Sequence, residues 1–453
     1  MILNEFLLIN YHKMRYQFFL KLNLQFFILT TLLYSCNAQS MKQPSTNITK
    51  SEIRLTEEGY RVFLDGEPFY IQGAGVDKGN IDALAKHGAN ALRTWSTDNG
   101  KEVLDKAQEL GLKVMMGVWV GLERHGFDYN NEEAVKKQLA SIRKKVEALK
   151  NHPALMIWGI GNELNHQSQN PKVWNALNDI SKMIHEVDPN HLTTTSLAGI
   201  DKKYVDLISK RAPDIDFISI QMYGAIDVLP ELVEESGYKG PLLVTEWGAT
   251  GYWEVSKTKW EAPLENNSSV KADFYLSRYQ KSIKSQSQQV MGSFVFLWGQ
   301  KQERTPTWFG MFMPDGKETE SIDVMHYVWN GEWPENRTPR LHDFTLEGQK
   351  ASDNIKLISG KNYSAQVKVS DPDNDELIFR WEIMEESSSN KTGGDAEYIP
   401  EVINDLFPEN SDRGATFRAP SQPGAYRLFI YVEDGNNHAA HANIPFWVDK
   451  KNN

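Results

Sequence analysis

The 453-residue chain contains a single cysteine, Cys36. No disulfide can form within it, and its stability must come from packing. Lysine and arginine number 49 against 60 aspartates and glutamates, a formal charge of −11. No basic run or tail offsets that balance, which disfavours nucleic acid or an acidic polymer as a partner and tolerates a neutral one. A G-x-G-x-x-G or P-loop after an early strand is missing, and with it the usual dinucleotide or nucleotide cradle. There is no H-E-x-x-H and no Cys/His cluster, so no metal and no organic cofactor is expected.

What is present is ordered along the chain. From Met14, "MRYQFFLKLNLQFFILTTLLYSC" places Arg15 and Lys21 ahead of an apolar stretch too short to cross a bilayer, ending at Cys36. That is the shape of a signal peptide, in residues 1–36. "LLYSC" resembles a bacterial lipobox, with Leu33 at −3, Ser35 at −1 and Cys36 as the residue to be lipidated. The competing reading is a plain secretory signal cut after Ala38. The lipobox reading implies an exported bacterial lipoprotein, anchored through Cys36 to the outer membrane or a cell-surface or periplasmic face. The polar Ser/Thr/Asn-rich segment 37–51 reads as a flexible tether.

From residue 52 the pattern is regular. Alternating runs around Gly59 and a tight turn at Asp65-Gly66 predict a hairpin feeding a buried strand. Apolar runs then alternate with amphipathic segments, predicting strands at 69–74, 90–95, 112–119, 155–162, 192–197, 215–222, 241–246 and 290–298. Val135, Leu139, Ile142, Val146 and Leu149 share one face of a helix over 131–150, and Val173, Leu177, Ile180, Ile184 and Val187 one face over 171–187. Eight such units fit an α/β fold of the closed (β/α)8 type over 52–335.

Active residues in that fold sit at the C-terminal ends of the strands. "ALMIWGIGNELN" ends the fourth strand on Asn162-Glu163, and "GPLLVTEWGATGYW" ends the seventh on Glu246. Two carboxylates across one cleft are the minimal equipment for glycoside hydrolysis. Together with Arg93 after strand two, Tyr223 after strand six and Trp298 after strand eight, these residues resemble the retaining glycosidases of clan A. The resemblance implies that Glu163 is the acid/base and Glu246 the nucleophile, that Asn162 binds the sugar 2-hydroxyl, and that Arg93 and Tyr223 hold the nucleophile ionised. Taken singly, a strand-end Glu reads as a solvated carboxylate, Arg93 as a buried ion-pair residue, and Tyr223 and Trp298 as packing. Of the strand-end tryptophans, Trp119, Trp247, Trp298 and Trp308 are expected to stack on sugars. Glu123, Glu254, Glu303 and His125 read as surface or subsite residues.

After "NGEWPENRTPR" only short alternating runs remain, predicting a small all-β sandwich over 336–453 that resembles an immunoglobulin-like domain, with Trp381 in its core. Its expected role is structural, with glycan binding as the other reading. "SDPDND" groups Asp371, Asp373 and Asp375, an acidic turn or a calcium-like cluster. The architecture, with "MIWGIGNELNH" and "LLVTEWGATGYW", resembles glycoside hydrolase family 158, which implies an endo-β-1,3-glucanase acting on laminarin-type β-glucan by double displacement. A β-1,3-glucan transglycosylase, a clan A β-mannanase or β-galactosidase-like enzyme, and a glycan-binding lipoprotein on an inactive barrel are the alternatives. A neutral polysaccharide is the expected partner and a monomer the expected state.

Overall fold

The computed structural model describes residues 47–389, 391, 393–407 and 412–451. Cys36, the signal segment and the tether up to residue 46 lie outside the described residues. Residues Thr46–Asn453 form one compact unit.

The fold opens with an antiparallel sheet of β1 (Ser51–Thr56), β2 (Gly59–Leu64) and β3 (Glu67–Phe69). The expected tether is shorter than its predicted limit of 51. Thr49 is already buried, its hydroxyl donating to the Pro153 carbonyl at 2.7 Å, and Ser51 begins β1. Asp65 (φ 52°) and Gly66 (φ 92°) are both left-handed, the geometry that matches a two-residue hairpin to the twist of its strands. Gly59, at φ 109°, lies so close to Gln288 that a Cβ would come within 2.2 Å of its carbonyl oxygen. Val62 and Leu64 pack with Ile71, Ala91, Leu243 and Met291 from the strand starts, so the sheet seals the N-terminal end of the barrel.

Eight parallel strands close that barrel: β4 (Ile71–Gly75), β5 (Ala91–Arg93), β6 (Lys113–Val118), β7 (Leu155–Asn162), β8 (Leu192–Ala198), β9 (Phe217–Gln221), β10 (Leu242–Glu246) and β11 (Val290–Val295). Helices cover it, among them α1 (Glu132–Leu149) and α2 (Lys172–Val187). The Asn131 side chain caps α1 by accepting from the Ala134 N–H, and Ile142 and Val146 are its buried stripe, flanked by partly buried Val135, Leu139 and Leu149. The same spacing buries Val173, Leu177, Ile180 and Ile184 of α2. Every predicted barrel strand is present; β11 stops at Val295, three residues before its expected end.

Beyond the barrel's last helix, α3 (Glu320–Asn330), two sheets face each other: β12 (Arg340–Leu346), β14 (Asn362–Ser370) and β16 (Gly414–Arg418); and β13 (Lys356–Ile358), β18 (Ala439–Asp449), β17 (Gly424–Glu433) and β15 (Ile378–Glu385). β14 alternates exposed and buried residues, and Trp381 is in the core with its indole N–H donating to the Asp412 carbonyl. The sandwich is bolted to the barrel by buried polar groups. Arg427 donates to the Pro263 carbonyl and to Asn443, Asn443 donates to Glu265, and Glu265 pairs with Lys271 at 2.5 Å. Asp373 accepts from the Arg337 N–H and Asp375 from the Asn336 and Asn436 amides, while Asp371 closes its own turn.

Candidate active site

A cleft of about 1370 Å3 lies over the C-terminal ends of the barrel strands, and both Glu163 and Glu246 line it. Glu246 ends β10 and is almost wholly buried. Its Oε1 accepts three hydrogen bonds, from Arg93 Nη1 at 2.9 Å, Trp95 Nε1 at 2.7 Å and Gln221 Nε2 at 2.9 Å. Oε2 accepts one, from the Tyr223 hydroxyl at 2.8 Å. Burial, followed by the charge of Glu246, pushes the Tyr223 phenol well above its ordinary range, so it remains a donor.

Strand periodicity produces this convergence. Side chains two residues apart share a face of a strand; Arg93 and Trp95 form one such pair, Gln221 and Tyr223 another, and all four reach Glu246. The Arg93 guanidinium also donates to Asn162 Oδ1 at 2.6 Å, and Gln221 Nε2 to the same oxygen at 2.7 Å. With its carbonyl oxygen fixed in this way, Asn162 has its amide N–H groups left for a ligand. The Trp95 indole gains its place because Gly75 ends β4: a Cβ there would lie 2.7 Å from the ring.

Glu163 is reached through a distortion. The register of β7 against β8 shifts between Gly159 and Asn162, Gly161 takes φ 72°, and Glu163 itself takes φ 51° while its N–H donates to the Ser196 carbonyl. A bulge at a strand end re-aims the side chains that follow it, and a left-handed non-glycine residue is held there only by its surroundings. Burial first, and then the negative charge of Glu246, raises the Glu163 carboxyl to about 7; Arg124 and Arg93 oppose the rise. Near neutral pH one carboxyl thus holds a proton beside a second, hydrogen-bonded carboxylate.

The other expected site residues divide. Trp119 lines the cleft with nearly half its surface exposed. Trp247, Trp298 and Trp308 do not; all three are fully buried. Trp247 packs on Tyr275 and Tyr279, Trp298 on His87, Phe312 and Trp329, and Trp308 on Tyr252 and Phe309. The indoles of Trp298 and Trp308 spend their N–H groups on the Asn80 and Thr250 carbonyls. Trp247 follows Glu246 directly, so it faces the helical layer when its neighbour faces the cleft. Glu123 and Glu254 are occupied by backbone N–H groups, those of Gln169 and Asn170 and those of Gly224, Ala225 and Gly251. Gln221 and Trp95 carry the site without having been singled out. Their available signal was parity with Tyr223 and Arg93.

The family model described as "Glycosyl hydrolases family 2, TIM barrel domain" matches residues 71–307. The chain belongs to that family. Its barrel is a family 2 barrel rather than one of family 158. Among solved structures, a β-glucuronidase from Ruminococcus gnavus bound to a C6-substituted uronic isofagomine is 17% identical, covering 62% of this chain and 53% of that one, with a TM-score of 0.50. An FMN-binding β-glucuronidase from Faecalibacterium prausnitzii L2-6 is 16% identical, covering 88% and 59%, also at 0.50. A β-galactosidase described as putative from Bacteroides fragilis is 15% identical over 90% and 58%, at 0.48. The first two likenesses show the fold, and the family 2 chain spans little more than half the length of each of the three proteins.

Proposed function

We propose that this family 2 hydrolase is a retaining β-glycosidase acting on a neutral β-linked glycan, with Glu246 as nucleophile and Glu163 as acid/base. The observation that carries the reading is the unequal loading of the Glu246 carboxylate. Three donors fill Oε1, whereas Oε2 accepts only from Tyr223. Oε2 therefore has the electron pair to offer. Attack by Oε2 on the anomeric carbon breaks the glycosidic bond while protonated Glu163 gives its proton to the departing oxygen. Glu163, now a carboxylate, takes a proton from water as the water oxygen displaces Glu246, restoring both groups. Asn162, fixed by Arg93 and Gln221, is placed to donate to a sugar hydroxyl.

The charge of the cleft supports a neutral substrate. Its lining carries eight aspartates and glutamates against four lysines and arginines, a poor setting for a sugar that bears its own carboxylate. β-1,3-glucan is the polysaccharide we put first among neutral candidates, its units carrying no charge. The assay is a panel of 4-nitrophenyl β-glycosides and laminarin with wild type, Glu246→Ala and Glu163→Ala. Each variant is expected to lose activity by orders of magnitude, and the first-formed sugar to have the β configuration by NMR. Wild-type rates in either variant, an α product, or a preference for the glucuronide would overturn the proposal.

The lipid anchor belongs to the same proposal. Incorporation of labelled palmitate into the full chain, abolished by Cys36→Ala, supports export as a lipoprotein; a mature N-terminus at Gln39 would replace it with the plain secretory signal.

A further inference from the structure

Within the connection between β15 and β16 of the sandwich, the described stretch 393–397 lies at the mouth of the barrel. At one side the connection is held by the loops after β10 and β11. From the loop after β11, Arg304 donates its backbone N–H to Glu397 at 2.8 Å and its guanidinium to the Ser389 carbonyl, and the Gly394 N–H approaches Glu303 Oε1 at 3.4 Å; from the loop after β10, the Tyr252 hydroxyl donates to the Lys391 carbonyl at 3.5 Å. At the other side Asp395 lies 3.2 Å from His125 Nε2 and 3.9 Å from Arg124 Nη2, in the turn after β6. β6 and β10 stand four strands apart in a ring of eight, so the connection spans the opening. Gly393, Gly394 and Asp395 line the cleft with the two glutamates.

We propose that this connection supplies a sugar-binding subsite, with Asp395 and Arg124 binding the hydroxyls of the unit next to the one cleaved and Trp253 stacking on its face. The assignment rests on the retaining β-glycosidase reading. Arg124 lines the cleft, and its buried Nη1 has no hydrogen-bond partner among the described residues. A buried donor without an acceptor is costly, and a sugar hydroxyl supplies that acceptor. Asp395 adds an acceptor, so the pair matches a diol, each hydroxyl of which both donates and accepts. Arg124 and Asp395 line the same cleft as Glu163, and the charge of Arg124 opposes the rise of the Glu163 carboxyl. Trp253 is 52% exposed, large for an indole at a cleft wall, and a Cβ on Gly393 would approach its ring at 3.3 Å. The glycine lets the connection pass close over the ring edge.

The test uses the full chain and two substrates of the same sugar, an aryl glycoside carrying one unit and a β-linked tetrasaccharide, for whichever sugar the panel shows to be turned over. Asp395→Ala is expected to lower kcat/KM on the tetrasaccharide about tenfold, chiefly through KM, and to lower it on the one-unit substrate several-fold less. Asp395→Asn keeps an acceptor and should lie between the two. Gly393→Val, which crowds Trp253 and the Glu303 carboxylate together, should discriminate in the same direction. Equal losses on both substrates, or none on either, would overturn the subsite while leaving the two-glutamate reading standing. Turnover of no sugar by wild type would overturn that reading and the subsite with it.

Discussion

Four side chains converge on Glu246, and of the two glutamates Glu163 is the one whose carboxyl is raised toward neutrality. Because burial and the neighbouring carboxylate raise Glu163 to about 7, the form able to protonate a leaving group predominates below that pH and disappears above it. The kcat/KM profile should therefore carry an alkaline limb near 7, absent from Glu163→Gln, whose residual rate should be flat there. Gln221→Ala removes the amide shared by Glu246 and Asn162; an activity loss of about 10- to 100-fold is expected, close to what one misplaced positioning contact costs, with the circular dichroism spectrum unchanged. Glu163, Glu246, Arg93 and Tyr223 were legible as one cluster because each ends or closely follows a strand with a residue out of keeping with the apolar run before it. Trp247, Trp298 and Trp308 were misread because an aromatic at a strand end serves packing as readily as sugar. For Trp247 alternation alone excludes the cleft once Glu246 is placed there. The same parity would have found Gln221, an amide buried inside the apolar "FISIQMY".

At the scale of elements, the strands and helices followed from periodicity because parallel strands covered on both faces read as continuous apolar runs and their helices as stripes. The bulge in β7 did not, since nothing in "WGIGNE" specifies which glycine turns left-handed. Gly161→Ala places a Cβ at φ 72°, with Leu164 side-chain carbons 2.7 Å away. Destabilisation of at least about 1 kcal/mol is expected, seen as a lower urea midpoint, and a lower kcat because Glu163 is re-aimed. The buried Lys271–Glu265 pair offers a second measurement. Burial would raise the Glu265 carboxyl, but Lys271 and His441 outweigh it and hold it at about 2, below its ordinary 4.5. A depressed carboxyl contributes stability above its unfolded pKa and loses it as pH falls from about 4.5 toward 2. Lys271→Met removes that contribution and strands a buried charge, at a cost of roughly 3–5 kcal/mol.

For the molecule as a whole, the sequence separated barrel from sandwich at the Pro-rich segment before Arg340, where composition changes. It gave no sign that the two share polar groups, because Arg427, Asn443, Glu265 and Lys271 meet across long sequence separations. A chain cut after residue 335 would leave Glu265 without Asn443 and the Pro263 carbonyl without Arg427. Such a chain is expected to unfold at lower urea than the full chain or to aggregate, and comparative denaturation measures it. An independently stable barrel would show the junction to be dispensable.

Because a loop of the second domain reaches over the first, exchanging that domain for a homologous one would not be a neutral cassette swap. The replacement would arrive with a different strip of peptide over the mouth, so the two halves are expected to be inherited together, and ligand preference to drift through insertions and deletions in that strip.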